Sequence, residues 1–209
     1  MSKALCCYAF ETLVTKLELE PAKLPLKAYL KALKEDPQGI PESAPLFITW
    51  RQHSDLRGCI GTFSAMPIES GVSRFTVSSA FQDPRFPPID RAEAPNLEVD
   101  VTLLDNFRPI KNAEDWTIGL NGLKISFDID DEHFSGTFLP SVAQDENWDK
   151  LTTLYYLLRK AGYAVAKGKV ADFYAKGLQE DWMKLTKYDG LKAHLGYDEF
   201  VKIRNKIQG

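Results

Sequence analysis

No long run of like charge, no CxxC, no HExxH or HxxxH pair and no apolar stretch of membrane-spanning length occurs in this chain. The net charge is only −3, without the basic excess that neutralising phosphates requires, which argues against nucleic acid as a partner. The apolar run from Ala4 to Phe10 stops at Glu11 and carries no signal-like cleavage region, so the chain reads as intracellular, cytoplasmic or also nuclear, with no membrane partner. His53, His133 and His194 are far apart in sequence, so local metal-ligand spacing is missing and neither a metal nor a cofactor is implied. The phosphate loop GxxxxGK, the dinucleotide fingerprint GxGxxG and the hydrolase elbow GxSxG are absent too, which removes the commonest nucleotide and hydrolase signatures. The three cysteines, with Cys6 and Cys7 adjacent, do not suit a disulfide framework and fit a reducing compartment.

What is present is an ordinary globular composition, 44% hydrophobic and 26% charged over 209 residues. A chain of this length can bury roughly 70% of its unfolded surface, enough for a self-sufficient core. Cys6, Ala9, Phe10, Leu13, Val14 and Leu17 recur at helical spacing, and Leu24 to Leu33 forms a short amphipathic stretch. After the proline-marked loop from Asp36 to Pro45, Leu46, Ile48 and Trp50 alternate as a strand. A break at His53-Ser54-Asp55 then predicts a hairpin that returns through Gly58 to Phe63. Ile68, Val72, Phe75 and Ser79 are helical, stopped by Asp83-Pro84 and the stiff Phe86-Pro87-Pro88.

Leu97, Val99, Val101 and Leu103 alternate as a half-buried strand. Asn121-Gly122 lies between two apolar runs and predicts a tight hairpin turn there. His133 to Leu139 reads as a further strand, Trp148 to Leu158 as a helical face ended near Gly162, and Trp182 to Ile207 as helix with loops. Helices, then hairpin-connected strands, then helices favour an α+β fold with an antiparallel sheet over a doubly wound parallel one. No repeat or linker divides the chain.

The stretch DLRGCIGTF, residues 55–63, is the least strand-like part of a predicted strand, because each glycine there forfeits packing and chain entropy. Regular alternation places Arg57, Cys59, Gly61 and Phe63 on one face, with Arg57 about 7 Å from Cys59 along the strand, and Gly58 on the other. Arg57 would then favour a Cys59 thiolate, and Gly61 would leave room for a ligand or for another backbone. The opposing reading of Cys59 is a small buried core residue. A Cys-His pair would need His53 or His133 within reach of the thiol.

Glu98 and Asp100 share a strand face and read either as paired carboxylates for acid-base or Mg²⁺ chemistry or as a solvated face. Asp83 and Arg85, held between prolines, read either as the pins of a binding loop or as the polar contacts that end a helix. His133, Ser135 and Thr137 read as a solvent-facing strand edge.

Taken together these residues resemble the AMMECR domain family. Its hexapeptide LRGCIG stands at Leu56 to Gly61. Its A-F-x-D-P-R-F-P-P segment stands at Ala80 to Pro88, and L-P-x-V-A followed by Trp-Asp at Leu139 to Ala143 and Trp148-Asp149. Lys160-Ala161-Gly162 matches the family's helix end. These signatures run in order over about residues 5–190, with one departure: Asp128 to His133 is longer and more acidic than the family pattern.

The resemblance implies that residues 1–209 form a single AMMECR domain, α+β, with two lobes separated by a cleft. The larger lobe would hold both termini, and LRGCIG would face the cleft. It brings no established reaction, and a genetic association with Memo-type proteins and radical-SAM enzymes. The reading it supports first is a module that binds a protein segment or a small molecule through Arg57, Gly58, Gly61, Asp83 and Arg85. A cysteine-dependent enzyme or redox protein using Cys59 is the alternative, and a purely structural packing knot comes third.

Overall fold

A computed structural model describes residues 2–209. It contains the helices α1 (Lys3–Lys16), α2 (Leu26–Leu33), α3 (Ile68–Phe81), α4 (Pro140–Asp145), α5 (Lys150–Lys160), α6 (Val170–Gln179) and α7 (Tyr197–Gln208). The strands are β1 (Ser43–Gln52), β2 (Asp55–Pro67), β3 (Leu97–Ile110), β4 (Asn121–Ile129), β5 (Glu132–Phe138) and β6 (Met183–Gly196). The strands hydrogen-bond in the order β2-β1-β3-β6-β4-β5, and the pairings of β1 with β2 and β3, and of β4 with β5 and β6, are antiparallel. The architecture is α+β. Among the described residues no helix is long and apolar enough to cross a membrane.

The chain divides into two compact units, Met1–Leu104 with Leu191–Gly209, and Asp105–Gly190. In the first, Leu46, Ile48 and Trp50 of β1 and Leu97, Val99, Val101 and Leu103 of β3 are buried in one core with α1 and α3. Helix α1 is buried from Ala4 to Val14 on every side, so its apolar spacing, read as one face in the sequence, belongs to an enclosed helix. The rings of Phe10 and Phe200 stack at 5.2 Å, and that of Trp50 meets Phe10 edge-on at 5.2 Å. The one acid inside this helix, Glu11, is fully buried. It accepts hydrogen bonds from Tyr29 Oη, from the Leu24 amide at 3.0 Å and from Arg204 Nε at 2.9 Å.

The second unit packs β4 and the start of β6 against α5 and α6. Its centre is Phe127, with Phe134, Tyr163 and Phe173 at 5.3, 5.4 and 5.7 Å between ring centroids. Asp149 caps α5 by accepting from the Thr152 amide at 2.7 Å, and Gly162 follows the helix with φ +93°.

Two sequence expectations are corrected. Asn121-Gly122 is the beginning of β4 and not a turn: the Asn121 side chain accepts from the Thr117 amide and donates to Asp189. A Cβ on Gly122 would lie 2.3 Å from the Tyr188 ring, so this glycine serves a close approach. The tight turn lies instead at Asp130 and Asp131, both with positive φ, between β4 and β5. The tail is not helix with loops, because its first half is the 14-residue strand β6. Its buried positions Met183, Leu185, Ala193 and Leu195 keep one phase, but Tyr188 between them falls out of it, which hid the period of two.

Candidate functional site

The hexapeptide lies on β2, the strand at one end of the sheet order, and its irregularity is a bulge. Trp50 pairs with Gly58 and Arg51 with Leu56, so Arg57 is one residue too many and its side chain is re-aimed. Arg57 Nε and Nη2 donate to the two oxygens of Glu93 at 2.7 and 3.0 Å. Nη1 donates to the Pro87 carbonyl at 2.8 Å and Nη2 to that of Pro88 at 3.3 Å. Such a bidentate, charge-assisted pair fixes geometry as well as energy. The side chain is only 11% exposed, and its contact with Glu93 holds that carboxyl below the ordinary carboxylate range. The expectation that Arg57 lends its charge to Cys59 is therefore corrected: the guanidinium holds the Pro87-Pro88 loop.

The glycines of the motif serve close packing. A Cβ on Gly58 would sit 2.1 Å from the Ser79 carbonyl oxygen at the end of α3. On Gly61 it would sit 2.2 Å from the Leu46 carbonyl oxygen and 2.5 Å from the Phe47 ring. Of the two uses foreseen for Gly61, room for a ligand or for another backbone, the space is taken by β1 itself.

Asp83 and Arg85 close the outer edge of this strand. Asp83 Oδ2 accepts from the Cys59 amide at 2.9 Å and from Arg85 Nη2 at 2.7 Å, while Oδ1 accepts from the amide and Nε of Arg85 at 3.1 and 2.9 Å. Arg85 Nη2 also reaches the Cys59 carbonyl at 3.4 Å. One loop thus supplies the donor and the acceptor that a neighbouring strand would supply, and blunts an exposed edge. The hydrogen bonds from Arg85, followed by the Cys59 amide, hold the Asp83 carboxyl well below the usual range despite its burial. The Arg85 side chain remains 54% exposed, so this closure faces solvent.

Cys59 is half-buried, and its Sγ accepts from Thr49 Oγ1 at 3.2 Å. Burial pushes the thiol up, and the Thr49 hydrogen bond and the charges of Arg85 and Arg51 do not offset it. That is the opposite of the activation a nucleophilic cysteine needs. His53 sits in the β1-β2 turn with φ +52°, and His133 bonds Asp128 at 2.8 Å in the second unit; neither is bonded to Cys59.

Sequence reasoning missed the rest of the row. Cys59 pairs with Thr49, and Thr49 with Asp100, so three side chains line up across β2, β1 and β3. Asp100 is not on a solvated face. Its side chain is 5% exposed; Oδ1 accepts from His194 Nδ1 at 2.7 Å, and Oδ2 faces Arg51 Nε at 3.3 Å and Lys192 Nζ at 3.7 Å. The neighbouring Glu98 pairs with Arg51 in register. Two strand spacings, about 10 Å, separate the columns of Cys59 and Asp100, so the histidine held by Asp100 does not form a pair with the thiol. The period-two strand pattern carried the signal for Arg51, Thr49 and Asp100; nothing local announced His194 or Lys192, because β6 was not recognised. Among the described residues no group of three His, Cys, Asp or Glu side chains could hold a metal ion.

The protein is thus α+β, with an edge strand closed by a loop. The AMMECR1 family model matches residues 6–178, and the chain belongs to that family. It is 34% identical over 203 residues to an uncharacterized protein of Schizosaccharomyces pombe, covering 95% of each chain. It is 30% identical to an uncharacterized protein of Arabidopsis thaliana, covering 100% of this chain and 91% of the other. The crystal structure of an uncharacterized protein from Pyrococcus horikoshii shares the fold, with a TM-score of 0.68 at 24% identity over 91% of this chain and 89% of that one.

Proposed function

We propose that this protein is a recognition module whose site is the polar face and outer edge of the first unit's sheet around Cys59. It would receive a protein segment or a small molecule. The observation that carries this reading is the closure of the Cys59 edge by Asp83 and Arg85, with Arg57 locking the same loop through Glu93. The motif's charged groups build a rigid surface, and the thiol at its centre is driven towards the neutral form. Preorganisation of this kind lowers the ordering cost of binding. The free cysteines suit a reducing, cytoplasmic or nuclear setting. Among proteins, the Memo-type partners that come with the family resemblance are the first to try.

The test is ligand capture from a metabolite extract and from purified candidate partners, comparing wild type with Arg85→Ala. Arg85→Ala leaves the buried Asp83 carboxylate with the Cys59 amide and should lower the melting temperature, yet the folded variant should lose a compound or segment that wild type retains. Retention by the folded variant of everything wild type binds would overturn the reading.

A further inference from the structure

The Asp100 cluster has a feature that packing does not require. Burying a carboxylate costs several kcal/mol unless it is fully paired, and an apolar residue would fill the same place. Here the carboxylate reaches up to two side chains of β6 and holds them with their outer ends in water. The His194 and Lys192 side chains are 53% and 50% exposed. Because Asp100 Oδ1 accepts from Nδ1, that nitrogen carries the hydrogen and Nε2 points its remaining capacity outward. Lys192, two residues away, stands on the same strand face, with ammonium hydrogens left over from its loose contact with Asp100 at 3.7 Å. Arg51 meets the same carboxylate at 3.3 Å from β1, so it adds a third cation to this face of the sheet.

We propose, resting on the recognition reading above, that His194 and Lys192 form the oxyanion-binding part of this site and that its ligand is a small molecule bearing a phosphate monoester. The ligand must offer negative oxygen to the ammonium and share one proton with Nε2. A phosphate monoester, whose second ionisation lies near about 6, does both: the single proton lies between imidazole and phosphate whichever of the two holds it. Sulfate has the same tetrahedral shape but no proton to give a neutral imidazole, so above the ordinary imidazole ionisation near about 6.5 it discriminates between shared-proton recognition and simple charge attraction.

The experiment follows the Cε1–H resonance of His194 by NMR at about pH 7.5, above the ordinary imidazole ionisation, while inorganic phosphate, glycerol phosphate, sulfate or chloride is added at matched ionic strength. Phosphate should give a saturating shift and sulfate one at least about fivefold weaker, as the loss of a hydrogen bond to a charged group demands. Glycerol phosphate should bind at least as tightly as inorganic phosphate. Lys192→Gln should weaken phosphate roughly tenfold while lowering the melting temperature only slightly, since its contact with Asp100 is loose and its side chain half exposed. His194→Gln identifies the resonance by its disappearance, and His133, paired with Asp128 in the other unit, reports non-specific shifts.

Equal binding of sulfate, an identical response at His133, or no effect of Lys192→Gln would each overturn the proposal. Tighter binding of a phosphoserine peptide than of glycerol phosphate would overturn the small-molecule assignment. If phosphate leaves His194 unmoved while Arg85→Ala still loses a captured ligand, the recognition reading stands and this one falls. If phosphate saturates His194 while Arg85→Ala retains every ligand, the reverse holds.

Discussion

The two units place their polar groups differently. In the second, a cluster of rings around Phe127 fills the interior, and the acids stay exposed or half-buried: Asp149 caps a helix, and Asp189 gathers Asn106, Arg108 and Asn121. In the first, paired carboxylates such as Glu11 and Asp100 are themselves buried. Glu11 meets Arg204, Glu93 meets Arg57, and Asp100 meets His194. One unit is held mainly by apolar packing, whereas the other also depends on buried charges that must stay paired. The proposed recognition surface lies in the first unit, where a polar row on the sheet has its charges fixed in place by such pairs.

The largest expected effect tests that contrast directly. Glu11→Ala takes from the buried Arg204 its one buried carboxylate, leaving only the part-exposed Glu20 at 2.8 Å, and should destabilise the protein by about 3–5 kcal/mol; the second change Arg204→Met should recover much of the loss. Phe127→Ala should cost a similar ~3–5 kcal/mol through the cavity it leaves, and removing a charge elsewhere cannot restore it. Denaturant unfolding of the three variants checks both. Restoration in the first unit and none in the second is the outcome that keeps the comparison.

Next in size are the glycines. Gly58→Ala brings a methyl group against a backbone carbonyl and should cost at least about 1–3 kcal/mol, whereas Gly168→Ala, with nothing within 4 Å, should stay within roughly ±0.5 kcal/mol. A tolerated Gly58→Ala would show that the strand can move off α3.

A smaller, pH-dependent effect comes from Asp83 and Glu93, whose carboxyls are both held below their ordinary ionisation by arginine contacts. A carboxyl depressed in the folded state adds stability above its unfolded pKa, near 4. That stability is lost as pH falls through the folded value. Stability should therefore fall with acid from about pH 4 downwards, and Asp83→Asn should flatten that slope while lowering stability at pH 7. An unchanged slope in the variant would mean that the Arg85 contact does not persist in solution.

Much of the fold was legible because strand alternation is a local signal. Leu46, Ile48 and Trp50, and Leu97 to Leu103, are buried as their spacing indicated. The hairpin bearing LRGCIG follows from the break at His53-Ser54, and the stop at Asp83-Pro84 marks the end of α3. What was not legible depends on where the chain returns. The out-of-phase Tyr188 inside β6 hid a strand, and with it His194 and Lys192. The bulge at Arg57 reversed the face argument, since a single extra residue undoes a period of two. Asn121-Gly122 carried a turn's chemistry at a place where tertiary packing against Tyr188 wanted a glycine in a strand.

The smallest effect concerns the thiol itself, and it separates a surface from a nucleophile. Cys6 and Cys7 are enclosed, with burial pushing Cys7 up to about 12 and Cys6 higher still, so in the native protein alkylation reports Cys59. Burial raises Cys59 as well, more than Thr49, Arg85 and Arg51 lower it. Iodoacetamide should therefore react slowly at pH 7, with a rate that rises only above the ordinary thiol range near about 8.5. Thr49→Val removes the hydrogen bond that favours the thiolate and should move the profile further to alkaline pH. Rapid alkylation at pH 7 would mean that Cys59 is activated as thiol chemistry requires, and the motif's rigid edge would then serve a reaction instead of a bound partner.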